Sequence, residues 1–350
     1  MRNKKVAAIV LAATMVIGST FTAFAADSTA SNASPSNASG STTGAGTNEA
    51  HVDKEVINVV LPTVPEGSTP FAYTTDPERL IQATAGSNAK YEDYTLPAKD
   101  KDSGVYFRVG AKELANESET LQVINKSSAN VTVTVAIDTT KAATDLGLAG
   151  DASPSDANPL SLNLKVGNTN TAITGNGQQQ VTKTIAGIPD NFEVTYADGK
   201  YGYTEKADAS GWKALDISMN GSVKETAAKA DTTAPTIKVT WSYAKAADSA
   251  TPDAGDQTDA LPTVTLSKDG VITITGLTKD KAYESILVGA SDKLTDSEWD
   301  TSNFNDEDGT GEIIIKLGQP WIDWLGGDYV TVVVTLKDNT KIRTTAWLDK

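Results

Sequence analysis

NVTVTVAID, residues 130–138, decides the fold class. Val131, Val133, Val135 and Ile137 occupy every second position, with Thr132, Thr134, Ala136 and Asp138 between them. Successive side chains of a strand point to opposite faces, so this spacing builds one apolar and one polar face. A helix would place its apolar residues three and four apart, and β-branched residues lose rotamer freedom in it. The segment therefore reads as a half-buried strand.

The same period of two extends in both directions. Toward the N-terminus lie EVINVVL (55–61), VYFRV (105–109) and ETLQVI (119–124). Toward the C-terminus LSLNLKV places Leu160, Leu162, Leu164 and Val166 on one face, followed by FEVTY (192–196), ALDISM (214–219) and IKVTWSY (237–243). One helical turn is expected in DPERLIQAT (76–84), with Asp76 as cap and Pro77 at the first helical position. A second group of strands follows: TVTLS (263–267), VITITGL (271–277), YESILVG (283–289), GEIIIKL (311–317), DYVTVVVTL (328–336) and TKIRTTAWL (340–348). DGV (269–271) and KDNTK (337–341) supply hairpin turns. Many short β-branched runs separated by Gly, Asn, Asp and Pro predict an all-β fold of tandem immunoglobulin-like β-sandwiches.

The segments between these groups set the boundaries. Residues 26–52 form a leader rich in Ser, Ala, Asn and Thr, too polar to offset its own ordering entropy. GDASPSDANP (150–159) reads as a long loop within the first module, which spans 53–245. Residues 246–260 read as a linker, and 261–350 as a second module of immunoglobulin size.

At the N-terminus Arg2, Lys4 and Lys5 precede an apolar run, and Ala23-Phe24-Ala25 supplies a small-x-small site. That is the layout of a secretory signal peptide, residues 1–25; the run from Val6 to Gly18 is shorter than the ~20 residues of a spanning helix. Export to the medium or the cell surface is expected, with no membrane insertion after cleavage. Losing three basic residues leaves 27 against 45 acidic ones, a mature net charge of −18. Such a surface repels nucleic acid and anionic membranes and favours solubility. Cysteine is absent, so in an oxidising exterior the fold rests on burial alone, without disulfides, thiolate metal sites or a cysteine nucleophile. Lack of cysteine also fits an exported protein of a Gram-positive bacterium.

GQPWIDWLGGDYVTVVVTLKDNTK, residues 318–341, raises a choice between core plug and ligand platform for its tryptophans. Pro320 can open a helical turn and Gly326 can close it. Residues three or four apart share a face, which groups Trp321, Ile322 and Leu325 inward and leaves Asp323 outside, with Trp324 at the edge. Trp324 and Tyr329 are thus the candidate ligand-binding residues. Trp212, Trp241 and Trp347 sit in or beside strand patterns, where buried aromatics stabilise sandwiches. Trp299 falls in a polar stretch between strands.

The run Ile313 to Leu317, Trp321-Ile322-x-x-Leu325, Gly327, Tyr329 to Leu336 and Thr344 to Leu348 resembles the closing half of bacterial X2-type immunoglobulin-like modules. These are secreted β-sandwiches found beside carbohydrate-active domains and on cell surfaces; a smaller residue usually stands where this chain has Trp324. Val59 to Pro65, with Asp76, Pro77, Leu80 and Ile81, resembles modules of Gram-positive surface proteins. Trp241-Ser242-Tyr243 and Trp347-Leu348 lack the tryptophan-x-leucine spacing of WxL cell-wall-binding domains.

Candidate chemistry is sparse. The single histidine, His51, lies in the leader, which cannot hold an imidazole rigidly between nucleophile and acid. Phosphate-binding glycine loops are absent. FNDEDGTGE (304–312) does not fit an EF-hand loop, leaving Asp306 and Asp308 as a non-EF calcium candidate. No cofactor is expected. The expected role is a non-catalytic secreted or cell-surface protein, in adhesion, spacing or envelope association, whose partner is an envelope component, a host surface or a glycan. The alternatives are a carbohydrate-binding protein using Trp324 and Tyr329, and a glycan-degrading enzyme with paired carboxylates.

Overall fold

The computed structural model describes residues 55–64, 70–83, 94–110, 112–143, 145–175, 177–197, 200–225, 232–277, 283–290, 293–298, 311–325 and 329–349. The fold is all-β. The first part contains β1 (Val59–Val60), β2 (Tyr73–Thr75), α1 (Leu80–Ala83), β3 (Val105–Arg108), β4 (Leu114–Ala115), β5 (Leu121–Asn125) and β6 (Val131–Thr140). It continues with β7 (Leu160–Val166), β8 (Thr169–Ala172), β9 (Gly177–Ile185), β10 (Phe192–Ala197), β11 (Lys200–Glu205), β12 (Lys213–Val223) and β13 (Thr236–Lys245). After the short β14 (Gln257–Asp259) come β15 (Thr263–Leu266), β16 (Val271–Leu277), β17 (Tyr283–Ala290), β18 (Lys293–Glu298), β19 (Gly311–Lys316), α2 (Gln319–Leu325), β20 (Tyr329–Leu336) and β21 (Lys341–Trp347).

The first sandwich packs the sheet β1-β5-β12-β7-β8 against β13-β6-β9. Val131, Val133, Val135 and Ile137 of β6 are all fully buried between them, with Leu160, Leu162, Leu164 and Val166 of β7 opposite. The polar residues of β6 between those valines are half-buried or exposed, so the strand follows its sequence alternation residue by residue. One core cluster includes residues from both sheets, and the small sheet β2-β3-β4 adds Phe107 and Tyr73 to it. The hairpin β10–β11 lies outside this core and roots Phe192 in a separate cluster with Trp212, Ile124 and Ala214.

The second sandwich packs β15-β16-β19 against β18-β17-β20-β21. Its central strand, β20, buries Val330, Val332, Val334 and Leu336 in the core, while Thr331 and Val333 on its other face are buried too. Burial on both faces explains why TVVVTL is a near-continuous apolar run rather than an alternating one.

The turn at Asp76 differs from its expected geometry. Asp76 does cap, its two carboxylate oxygens accepting the N–H groups of Leu80 and Ile81 at 2.8 and 2.9 Å. Pro77, however, precedes the helix instead of opening it, because Arg79 sits in the left-handed region (φ 55°) and the helix begins at Leu80. The Arg79 guanidinium holds that conformation by donating to the Pro97 carbonyl at 2.9 Å and pairing with Asp102, which also accepts from the Tyr106 hydroxyl. Burial and this carboxylate together push the Tyr106 phenol well above its ordinary pKa.

Candidate functional site

Among the described residues, three regions gather aromatic or charged side chains, and the first is the aromatic end of the second sandwich. Helix α2 starts on the Gly318 carbonyl, which accepts from Trp321 and Ile322, and Gln319 bonds Asp323 one turn on at 2.8 Å. Leu325 is buried, and Trp321 and Ile322 pack against the core from the rim. Trp324 stands out at 60% exposure, its ring edge-on to Trp321 with centroids 5.7 Å apart. Tyr329 is at 8% exposure, beneath Trp347, whose ring meets it edge-on at 5.7 Å. Of the two candidate platform residues, Trp324 presents a ring to solvent and Tyr329 does not. Trp347, expected among the core aromatics, is 43% exposed. Its odd-numbered place in β21 puts it on the same face as Lys341, Arg343 and Thr345, away from the core that Ile342, Ala346 and Leu348 help line.

The second surface is the hairpin β10–β11. Phe192, Val194 and Tyr196 share one face with their cross-strand partners Glu205, Tyr203 and Tyr201. The apolar character of that face runs outward from the buried Phe192, which touches Trp212 and Tyr203, to the exposed pair Tyr196 and Tyr201, centroids 4.8 Å apart. Sequence reasoning found β10 and missed β11. The signal was present: Asp198-Gly199 is a hairpin dipeptide, and Tyr201 and Tyr203 alternate after it.

The third surface is the seam between the sandwiches, built by the outward row of β21. Arg343 pairs with Glu119 of the first sandwich, both side chains at most 5% exposed. Lys341 bonds Glu113 at 2.5 Å and the Val109 carbonyl at 3.1 Å. The Thr345 hydroxyl donates to the Thr63 carbonyl at 2.6 Å, and Thr120 forms a parallel bridge with Ile342. Val60, Leu61, Ile124, Leu261, Val264 and Ile342 help line a groove of about 90 Å³ along this seam. Ligand pockets run from roughly 300 Å³ upward, so the groove accommodates a few waters and no sugar ring.

The segment read as linker, 246–260, is strapped onto the first sandwich. Asp253 exchanges bonds with Thr184: its carboxylate accepts the Thr184 N–H at 2.6 Å and its own N–H donates to the Thr184 carbonyl at 2.9 Å. Asp256 pairs with Lys183 at 2.7 Å and accepts the Asn168 N–H at 2.8 Å. Gly167 makes room for this contact: its φ is +60°, and a Cβ there would lie 2.6 Å from the Asp256 carbonyl oxygen. β14 then fills the place beside Lys213–Leu215 that β7, pairing only from Ile217 onward, leaves open. Composition suggested a linker because the acids Asp253 and Asp256 act as hydrogen-bond acceptors here instead of solvated decoration.

Lys183 above all, with the Asn168 N–H and the Thr169 hydroxyl, lowers the Asp256 carboxyl below its ordinary pKa. A depressed carboxyl stabilises the folded state above the unfolded pKa of ~3.9 and loses that contribution as pH falls through the lower folded value. Wild-type protein should therefore show a stronger loss of thermal midpoint below pH 4 than Asp256→Asn, whose curve falls less steeply there. Parallel curves would remove Asp256 from the acid response.

Among the described residues no group of His, Asp and Glu is arranged to hold a metal ion. The calcium candidates Asp306 and Asp308, and also Trp299 and His51, lie outside the described residues. Among the described residues no helix is long and apolar enough to cross a membrane. In comparison with known proteins, the chain matches no family model, no curated protein and no solved structure.

Proposed function

We propose that this is an exported, non-catalytic surface protein in which two immunoglobulin-like sandwiches act together as a stiff spacer or adhesive arm. The observation that supports this best is the seam: an ion pair with both side chains nearly buried, an isolated β-bridge and a strapped connection join the two bodies. Flexible tandem modules need none of these, since inter-domain motion is the ordinary outcome of a small polar interface. The basic, apolar and small-residue pattern of residues 1–25 supports export, and the acid excess supports a soluble exterior role. Fractionating a producing culture tests the proposal. Mature protein beginning at Ala26 is expected in the wall fraction or the medium; uncleaved protein confined to the cytoplasm would overturn it.

A second reading, carbohydrate binding, is favoured by one observation, the 60% exposure of Trp324 beside the edge of Trp321. An exposed aromatic face stacks on the C–H face of a sugar, and loss of such a contact corresponds to about tenfold in affinity. Under this reading Trp324→Ala lowers retention on a bound polysaccharide about tenfold and leaves the thermal midpoint unchanged. Retention that ignores the substitution removes the platform.

A further inference from the structure

The sheet β13-β6-β9 has two edges, and they are treated differently. At β9, Thr184 and Ala186 bond the strap through Asp253 and Gln257, and the Gln179 side chain ties the strand to Ala172 and Thr174. At β13, among the described residues, no hydrogen bond joins the outer edge of Ile237–Ser242 to another segment. β13 pairs with β6 over ten residues, Thr236 to Lys245. Alternate residues of a strand direct N–H and C=O groups away from their partner, so this edge offers a row of donors and acceptors matched by another strand. Its inward side chains Ile237, Val239, Trp241 and Tyr243 are only half-buried, whereas their neighbours on β6 are fully buried.

Edge strands normally carry charges that repel a second strand. This chain has 45 acidic residues, yet none falls between Thr232 and Ala247. Lys245 is already paired with Glu55 and Asp248, leaving Lys238 as the one other charge on the strand. The sequence is also self-complementary. Placing Thr240 opposite Thr240 of a second copy in antiparallel pairing sets Val239 against Trp241 and Ile237 against Tyr243. These are aromatic–β-branched pairs, which stabilise adjacent strands. The same register sets Lys238 against Ser242, so the two lysines do not meet.

We infer that β13 is a homodimerisation edge: two copies pair β13 to β13 about a two-fold axis, joining their three-stranded sheets into one of six strands. Antiparallel self-pairing is isologous, so it closes at two copies instead of growing into a fibre.

Sedimentation velocity of the full chain over a dilution series tests this. Wild type is expected to sediment as a dimer that dissociates on dilution. Thr240 is solvent-exposed on the outer face, so Thr240→Lys and Thr240→Glu should each fold with unchanged circular dichroism and sediment as monomers. Mixing them places opposite charges across the axis and should restore a dimer holding one copy of each by native mass spectrometry. Hydrogen exchange gives a second readout, with amides of Ile237–Ser242 gaining protection as wild-type concentration rises. A wild type monomeric at the highest concentration, or a Thr240→Lys protein that dimerises like wild type, overturns the inference; a mixture that stays monomeric overturns the register.

Discussion

Arg343→Met is expected to cost about 3–5 kcal/mol, because it removes the guanidinium paired with the Glu119 carboxylate in a site where that side chain is 2% exposed. Removing one partner of a buried pair leaves the other charge desolvated without compensation. The loss is therefore far larger than the ~0–1 kcal/mol of a surface ion pair such as Lys213–Asp259. Replacing both partners, Glu119→Leu with Arg343→Met, should recover most of the loss, since an apolar pair of similar volume leaves no buried charge. Urea denaturation of the four proteins in this cycle measures the coupling directly. If Arg343→Met unfolds within about 1 kcal/mol of wild type, the pair is hydrated and the seam is not dry.

Gly187→Ala should be the most damaging single methyl group added to the first sandwich. A Cβ at Gly187 would lie 2.3 Å from the Ala129 carbonyl oxygen, 2.4 Å from its carbon and 2.6 Å from its nitrogen. Those are backbone atoms at a crossing of two chain segments, so no side chain can rotate away. The crossing is fastened on both sides. The Asn125 amide donates to the carbonyls of Ala129, Ile185 and Ala186, and the Gly187 N–H donates to the Asn130 side chain at 3.0 Å. Overpacking a fixed crossing costs about 3 kcal/mol or more. Gly255→Ala is the matched control, with open space at its Cβ, and is expected to be neutral or slightly stabilising. Equal denaturation midpoints for the two variants would show that the crossing yields.

The sequence and the fold agree most closely where one face meets the core and the other meets solvent. VITITGL and LSLNLKV became β16 and β7 at the residues read for them, because their alternation was uninterrupted. β9 was missed: GQQQVTKTI has apolar side chains only at Val181 and Ile185, and its glutamines work as local ties instead of core residues. β14 was missed because three polar residues carry no periodic signal; its place is set by the gap beside β12. The site residues divide the same way. Trp324 lies at the helix edge, as the three-and-four spacing of its turn implied. Tyr329 looked equally available, yet its burial is set by Trp347, a partner 18 residues away that only the pairing of β20 with β21 brings opposite. The seam was invisible for a similar reason, since Glu119 and Arg343 are 224 residues apart and each reads locally as ordinary surface charge.

The stiffness of the two-sandwich body is measured most directly by the distance between them. The chain has no cysteine, so Asp138→Cys in the first sandwich and Lys316→Cys in the second give the only two labelling sites. Both positions are exposed and lie on strands. Paired spin labels there, in labelled chain diluted into a large excess of unlabelled protein so that labels on two paired copies do not meet, should give a single narrow distance distribution, which broadens when Arg343→Met is added. A broad or two-peaked distribution in the otherwise wild-type chain would contradict a rigid spacer.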